Sequence, residues 1–336
     1  MRKICVTGGL GFIGGEFVKE VLAKYDDTIV FIIDDESNPT YEPSDFGVKV
    51  RCLLFGMVPH YDLQKDIKEN NIKIVSIQGD CSSDLALNFI ANNDISHVFH
   101  FAAKPRVEWT VENPVESTVE NFVNVIDIAK VCADNNIRLV HSSTSAVYGN
   151  QFIPAHGLPE NVSQYHPASP YAAAKLSAEV YLDMYKKLYN LDYVAFRYFN
   201  VYGETQLGDS PYATAVSAWK HRCEIGMPLR SDGDGEQARD MIHVRDVARA
   251  NLNLGFSNKI GVFNVGTGKK YTNNFILSKF HDAGFTNVTN APERPGDVKY
   301  TLADITKIIN TGLWKPEIKF EDGLERVIRS INVVEK

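Results

Sequence analysis

Cysteines are few and scattered in this 336-residue sequence, and no two of the five form a CxxC pair. They stand at Cys5, Cys52, Cys81, Cys132 and Cys223. Such irregular spacing argues against a disulfide framework and against a zinc site. We therefore expect reduced, intracellular thiols and no bound metal.

Long apolar runs are also absent. No stretch approaches the ~18 apolar residues that a membrane-spanning helix needs, and glycines interrupt the apolar run of the opening MRKICVTGG, unlike a signal peptide. A formal charge of −7 argues against a general binder of nucleic acids or acidic membranes. These absences predict a cytoplasmic globular protein with no nucleic-acid or membrane partner.

Short β-branched runs alternate with longer helical patterns over the first two-thirds of the chain, which predicts an α/β fold. The predicted strands are 3–7, 28–34, 73–78, 97–101, 138–143 and 192–197, and the predicted helices are about 12–24, 84–92, 114–135 and 170–188. This order is typical of a Rossmann-type, doubly wound parallel sheet.

Two regions depart from this alternation. The segment from Asp35 to Tyr61 carries three prolines, so we expect an insertion or a long loop there. After residue 200 the alternation weakens and glycine-rich turns appear. We expect a Rossmann domain over residues 1–198, joined by part of 235–262, and a smaller α/β lobe that is mainly residues 199–336.

A glycine-rich turn follows the first strand. In TGGLGFIGG, Gly8, Gly11 and Gly14 have GxxGxxG spacing where a helix begins. Glycines allow a tight turn and close backbone approach, so a pyrophosphate can bind the free N–H groups at the helix N-terminus. The loop, including Phe12 and Ile13, is therefore predicted to bind a dinucleotide.

Acidic residues follow the second strand and indicate which dinucleotide binds. Asp34 lies 20 residues after Gly14, where a carboxylate can accept hydrogen bonds from the adenosine ribose. The following Asp35-Glu36 would repel a 2′-phosphate, which favours NAD over NADP. Asp80 and Cys81 end the third strand, where they either contact adenine or form a simple turn.

A hydroxyl-rich segment, HSSTSAVYGN, follows a strand and precedes a YxxxK motif, Tyr171 to Lys175. On a helix these two residues share a face, and the lysine ammonium favours the tyrosine phenolate, whose usual pKa is ~10. Tyr171 can then act as a base near neutral pH, while strand-end hydroxyls bind the reacting oxygen.

Six ordered segments resemble the extended short-chain dehydrogenase/reductase family. They are GGLGFIGG, HSSTSAVYG, YAAAK, RYFNVYG, GEQARDMIHVRDV and RPGDVKYTLAD. Within that family the chain looks most like the nucleotide-sugar 4-epimerases that act on UDP-galactose and UDP-N-acetylglucosamine.

The resemblance implies roles for residues of the cofactor and catalytic sites. Tyr171 would be the base, Lys175 would hold the nicotinamide ribose, and Thr144 would bind the sugar O4. Asn121 would contact the cofactor, although the glycine usual on that helix is Asn124 here.

The resemblance also implies a substrate site. Thr110 and Asn200 would contact the nucleotide-sugar, and Arg239 and Arg294 would clamp its diphosphate. Thr301 matches the position that walls off the sugar C2. Because threonine is a small side chain, we expect the pocket to accept an acetamido group. The paired helices near 114–135 and 170–188 resemble a dimer interface, which predicts a homodimer.

The residues after Thr144 bear on the reaction. The 4,6-dehydratases that the chain resembles have Asp-Glu at this point, whereas this chain has Ser145-Ala146. Without an eliminating acid and base, we expect oxidation at C4 followed by reduction from the other face. Two alternatives stay open: net NAD-dependent oxidation or reduction of a nucleotide-sugar, and a non-catalytic NAD-sensing protein.

Overall fold

The computed structural model describes residues 1–48, 50–53, 71–105, 107–209, 214–292 and 299–332. The strands are β1 (Arg2–Thr7), β2 (Thr28–Asp34), β3 (Val50–Leu53), β4 (Ile74–Gln78), β5 (His97–His100), β6 (Arg138–Thr144), β7 (Tyr193–Tyr198), β8 (Asn200–Tyr202), β9 (Leu229–Asp232), β10 (Ala238–His243), β11 (Gly261–Val265), β12 (Lys270–Thr272) and β13 (Val288–Ala291). The α-helices are α1 (Phe12–Lys24), α2 (Asp84–Asn92), α3 (Val107–Glu112), α4 (Pro114–Thr118), α5 (Asn124–Asp134), α6 (Pro170–Tyr189), α7 (Ala215–Glu224), α8 (Val244–Gly255), α9 (Asn273–Asp282), α10 (Thr306–Ile309) and α11 (Phe320–Arg329).

Eight parallel strands form the central sheet in the order β11-β7-β6-β5-β1-β2-β4-β3. Apart from the edge strand β3, these strands are buried along most of their length, as expected for a sheet covered on both faces. One core contains buried side chains of α1 and α8, and the other contains those of α2, α5 and α6. The predicted doubly wound Rossmann-type fold is confirmed.

Two small sheets lie in the C-terminal part. One has the order β12-β10-β8 and the other pairs β13 with β9. Trp219 of α7, Phe280 of α9 and Phe320 of α11 belong to a third hydrophobic core beside them. Between β7 and β11 the chain therefore leaves the central sheet to build β8, α7, β9 and β10, and after β11 it adds β12, α9, β13 and α11 to the same part of the molecule.

The sequence predictions differ from the structure in a few elements. The expected loop from 35 to 61 contains a 3₁₀ turn (Pro43–Phe46) and the edge strand β3, so the loop prediction was wrong there; residue 49 and residues 54–61 lie outside the described residues. The single helix expected at 114–135 consists of α4, a π-helical turn (Val119–Val123) and α5.

Candidate active site

A cleft of about 1140 Å³ opens at the carboxyl ends of the central strands, beside the C-terminal elements. Most of the predicted site residues line it: Gly8, Gly11, Phe12, Ile13, Gly14, Asp34, Asp80, Cys81, Thr144, Tyr171, Lys175, Asn200, Arg239 and Thr301. In a doubly wound sheet this is the edge at which ligands bind.

The glycine loop leaves no room for side chains at two positions. Gly8 has φ +67°, and a Cβ there would lie 2.6 Å from the Ala102 nitrogen. A Cβ on Gly14 would lie 2.2 Å from the Gly8 carbonyl oxygen. The loop therefore packs directly on α1, and α1 has no acidic residue in its first turn to oppose an anion. This arrangement suits a pyrophosphate at the helix N-terminus.

Asp34 ends β2 and is nearly buried beside the glycine loop. One carboxylate oxygen accepts a hydrogen bond from the Leu10 N–H and the other from the Glu36 N–H, both at 2.9 Å. Burial raises the pKa of Asp34, and these backbone donors oppose that rise. Since each carboxylate oxygen has a further lone pair, Asp34 can still accept bonds from ribose hydroxyls.

Lys104 crosses the cofactor end of the cleft and was missed by the sequence analysis. Its ammonium lies 3.3 Å from Asp35 Oδ2 and 3.1 Å from Ser37 Oγ. Asn121 holds the Lys104 backbone, because its amide accepts from the Lys104 N–H at 3.1 Å and donates to the Lys104 carbonyl at 3.2 Å. The signal in the sequence was a lysine just after a strand end, in HFAAK.

The predicted catalytic pair, Tyr171 and Lys175, lies at the start of α6. Ser169 caps this helix by accepting from the Ala172 N–H at 3.2 Å, and Pro170 is its first residue. Lys175, only 1% exposed, donates to the Ser142 carbonyl at 3.0 Å, and its nitrogen lies 6.0 Å from the centre of the Tyr171 ring. Burial lowers the pKa of Lys175 from 10.5 to about 8.

Thr144 ends β6 beside this pair. Its Oγ1 accepts from the Ala146 N–H at 3.1 Å, which fixes the hydroxyl at the entry of the 3₁₀ turn Ser145–Tyr148. A hydroxyl that accepts one bond can still donate its proton, so Thr144 can bind a substrate oxygen. The acidic residues among the cleft-lining set are Asp34, Asp35, Asp80, Glu108 and Glu120. None of them belongs to β6 or to the turn after it.

Side chains of the C-terminal elements also line the cleft. Asn200 donates to the Thr301 hydroxyl at 2.9 Å, and the same hydroxyl accepts from the Asp240 N–H at 3.1 Å. Arg239 donates to the Lys299 carbonyl at 3.2 Å. Arg230, which the sequence analysis did not select, also lines the cleft and bonds Asp232 at 2.7 Å. Two guanidinium groups in one cleft suit a phosphorylated ligand.

Three predicted residues are not among those that the structure places at the cleft. Thr110 is fully buried and donates to the Val107 carbonyl at 2.7 Å. Asn121 is also buried and reaches the cleft only through Lys104, so the geometry does not support a direct cofactor contact for it. Arg294 lies outside the described residues.

Within the described ranges, no group of three or more His, Cys, Asp or Glu side chains is placed to hold a metal ion. No helix of those ranges combines the length and the apolar character needed to span a bilayer.

Comparison with known proteins places this cleft in a family. The model of the NAD dependent epimerase/dehydratase family matches residues 4–266. A UDP-glucuronate 4-epimerase of Thermodesulfobacterium geofontis is 32% identical, over 98% of this chain and 95% of its own.

Solved structures of 4-epimerases are also similar to this chain. A UDP-N-acetylglucosamine 4-epimerase of Methanobrevibacter ruminantium, in complex with UDP-N-acetylmuramic acid, has a TM-score of 0.81 and 34% identity over 98% of this chain and 97% of its own. A Thermus thermophilus UDP-glucose 4-epimerase in complex with NAD has a TM-score of 0.79 and 28% identity over 98% and 99%. The chain therefore belongs to the NAD-dependent epimerase/dehydratase family, and its chemistry depends on NAD.

Proposed function

We propose that the protein is a nucleotide-sugar 4-epimerase that acts on a UDP-hexose or a UDP-N-acetylhexosamine. The observation that carries this proposal is the end of β6, where Thr144 stands beside Tyr171 and Lys175 and is followed by Ser145-Ala146. A site with a base and hydroxyl donors, but with no carboxylate on that turn, suits oxidation and reduction at one carbon without loss of water.

Each residue has a role in this reaction. Tyr171 takes the proton of the sugar O4 hydroxyl and returns it after the 4-keto sugar has rotated within the site. Lys175, held by the Ser142 carbonyl, keeps its positive charge near Tyr171 and favours the phenolate. Thr144 donates a hydrogen bond to O4. NAD would be held by the glycine loop and Asp34, and when bound it would supply the hydride acceptor and donor for C4.

The nucleotide diphosphate is assigned to the wall formed by the C-terminal elements. Arg239 and Arg230 supply positive donors for phosphate oxygens there, and Asn200 lines the same cleft. The names of the relatives support a UDP-sugar, because the three described above are UDP-sugar 4-epimerases.

The test is a turnover assay with UDP-glucose and UDP-N-acetylglucosamine, followed by NMR for inversion at C4 without a change of mass. Tyr171→Phe should lower kcat by ~10² or more, because a positioned base contributes that much. Tyr189→Phe, at the far end of the same helix, is the control and should keep full activity.

Other outcomes of this assay separate the alternatives. Release of NADH in proportion to substrate would indicate net oxidation, and a change of mass by one water would indicate a dehydratase. No turnover of any nucleotide-sugar, with NAD still bound, would favour a sensing protein.

We also propose a cytoplasmic homodimer. Val107, Val111, Val115, Val119 and Val123 recur at every fourth residue from α3 through the π turn, and all five are exposed. Val180 and Tyr181 of α6 are exposed as well, and α4 and α6 pack against each other. All five cysteines are free, which suits a reducing compartment.

A further inference from the structure

A buried ion pair lies behind the catalytic residues, outside the set that lines the cleft. Glu179 is 4% exposed and Arg197 is 2% exposed. Arg197 Nη2 donates to Glu179 Oε2 at 2.6 Å, and its Nε donates to Oε1 at 3.0 Å. Glu179 follows Tyr171 and Lys175 at the next four-residue step of α6, so all three share one face of the helix.

This face joins α6 to the end of β6 through two consecutive residues. Lys175 donates to the Ser142 carbonyl at 3.0 Å, and the Ser143 hydroxyl donates to Glu179 Oε1. Ser143 directly precedes Thr144. A displacement of Glu179 would therefore move either α6, which carries Tyr171, or the strand end that carries Thr144.

Arg197 connects Glu179 to the segment after β6. Its Nη1 donates to the Tyr148 hydroxyl at 2.9 Å and to the Glu160 carbonyl at 3.1 Å, and its Nη2 donates to the Tyr165 hydroxyl at 2.8 Å. Tyr148 ends the 3₁₀ turn that begins one residue after Thr144. The ion pair thus connects α6, β6, β7 and this turn.

Stability alone is a weak explanation for such a pair. Charges lose their hydration on burial, and well-packed apolar residues of similar volume often stabilise a fold as much or more. Apolar contacts have no preferred direction. Bidentate hydrogen bonds do, and they therefore fix the relative height and orientation of the elements that they join.

We propose that Glu179 is a positioning residue of the epimerase site. Through Ser143 and Arg197 it sets the separation between the Tyr171 hydroxyl and the Thr144 hydroxyl, and this inference rests on the proposed function. Since a misplacement of about 1 Å can lower a rate ~10²-fold, loss of Glu179 should act on catalysis without any contact with the substrate.

The first test is Glu179→Gln, which keeps the size of the side chain and removes its charge. We expect kcat for UDP-N-acetylglucosamine or UDP-glucose to fall about 10- to 100-fold, with KM changed less than about threefold and with NAD retained. The matched control is Asp192→Asn. It removes the carboxylate partner of another buried arginine, Arg138, at the opposite end of β6 and β7, and should leave kcat unchanged.

The second test separates position from stability. Glu179→Leu combined with Arg197→Met removes both charges, while Tyr148 keeps its bond to Asn264 and Tyr165 its bond to the Glu160 carbonyl. Glu179→Gln should also lower Tm, because it leaves the Arg197 charge buried without its partner. The double variant should regain most of that Tm, whereas its kcat should remain low.

Three results would overturn the inference. One is an unchanged kcat in Glu179→Gln, and another is recovery of kcat together with Tm in the double variant. The third is an equal loss of kcat in Asp192→Asn. A wild-type protein that turns over no nucleotide-sugar would overturn the proposed function itself, and this inference with it.

Discussion

His100 and His141 are neighbours on β5 and β6, and their rings stack at 5.7 Å between centres. Burial, followed by the charge of Lys175, lowers the pKa of His100 from 6.5 to about 3 and that of His141 well below 6.5. Both rings are therefore neutral at pH 7. Their neutrality avoids placing a second positive charge beside the buried ammonium of Lys175.

These histidines make the folded state sensitive to acid. Between pH 6.5 and the lowered values, the unfolded chain binds protons that the folded chain does not. The free energy of unfolding therefore falls as the pH drops through this window, by up to about 1.4 kcal/mol per pH unit for each ring. Above pH 6.5 neither the folded nor the unfolded chain protonates these rings, so the free energy of unfolding is no longer lowered by them.

A substitution at His141 tests this dependence. In His141→Phe the free energy of unfolding should fall by about 1.4 kcal/mol less per pH unit between pH 6 and pH 4 than in the wild type, because one titrating ring is gone. Urea unfolding followed by circular dichroism at several pH values measures the slope. His281→Phe, on the exposed end of α9, is the control; equal slopes for His141→Phe and the wild type would contradict the assignment.

Which site residues were predictable depends on how local their signals are. The glycine loop and the Tyr171–Lys175 pair are each contained in a few neighbouring residues, so spacing alone predicted their geometry. Lys104 has one local signal, its place just after a strand end, whereas Arg230 reaches the cleft from β9 and no local pattern indicates that. Thr110 was selected through the resemblance, and tertiary packing instead buries its side chain.

At the level of elements, the segment that includes Thr301 lines the same cleft as the proposed catalytic pair. Thr301 contacts Asn200 and the Asp240 backbone through its hydroxyl, and Tyr300 beside it also lines the cleft. Lys270 and Lys299 hold their ammonium groups 4.4 and 5.7 Å from the centre of the Tyr300 ring. The neighbouring aromatic ring is thus already engaged by two cations.

Thr301→Tyr tests whether this position sets the size of the C2 substituent. We expect kcat/KM for UDP-N-acetylglucosamine to fall about 10-fold or more relative to UDP-glucose, because a ring would occupy the space of the acetamido group. Thr301→Val is the control, since it removes the same hydroxyl without adding bulk. If both variants change the two substrates in the same ratio, Thr301 does not act as the gate.

The six predicted strands lie within one residue of the observed ones, because buried strands have a clear sequence pattern. β11 of the same sheet and helix α8 were not predicted. β3 was missed since it is a four-residue edge strand in a segment with several prolines, and edge strands need little apolar sequence. α3 has six residues, too few to show a helical period, and a π turn has no signature of its own in the sequence.

For the whole molecule, the row of exposed valines indicates the proposed dimer. Light scattering at micromolar concentration should give twice the 37.6 kDa of one chain. Val115→Glu should shift this mass towards the monomer, because a charge would be buried in an apolar interface. Ile260→Glu, on an exposed apolar side chain away from these helices, is the control. A monomeric wild type would refute the dimer.

The chain leaves the central sheet after β7 and returns at β11. This path sets the order in which the strands can pair while the ribosome synthesises the protein. The outer side of β7 pairs only with β11, which begins about 60 residues later in the sequence. At roughly 5–20 residues per second, a ribosome needs about 3–12 s to make that stretch. For that time the nascent sheet presents an unpaired, apolar edge strand, which is the kind of edge that recruits other chains. The last strand to join the central sheet therefore replaces the fully buried β7 as its edge strand, and β11 is itself less buried at its start.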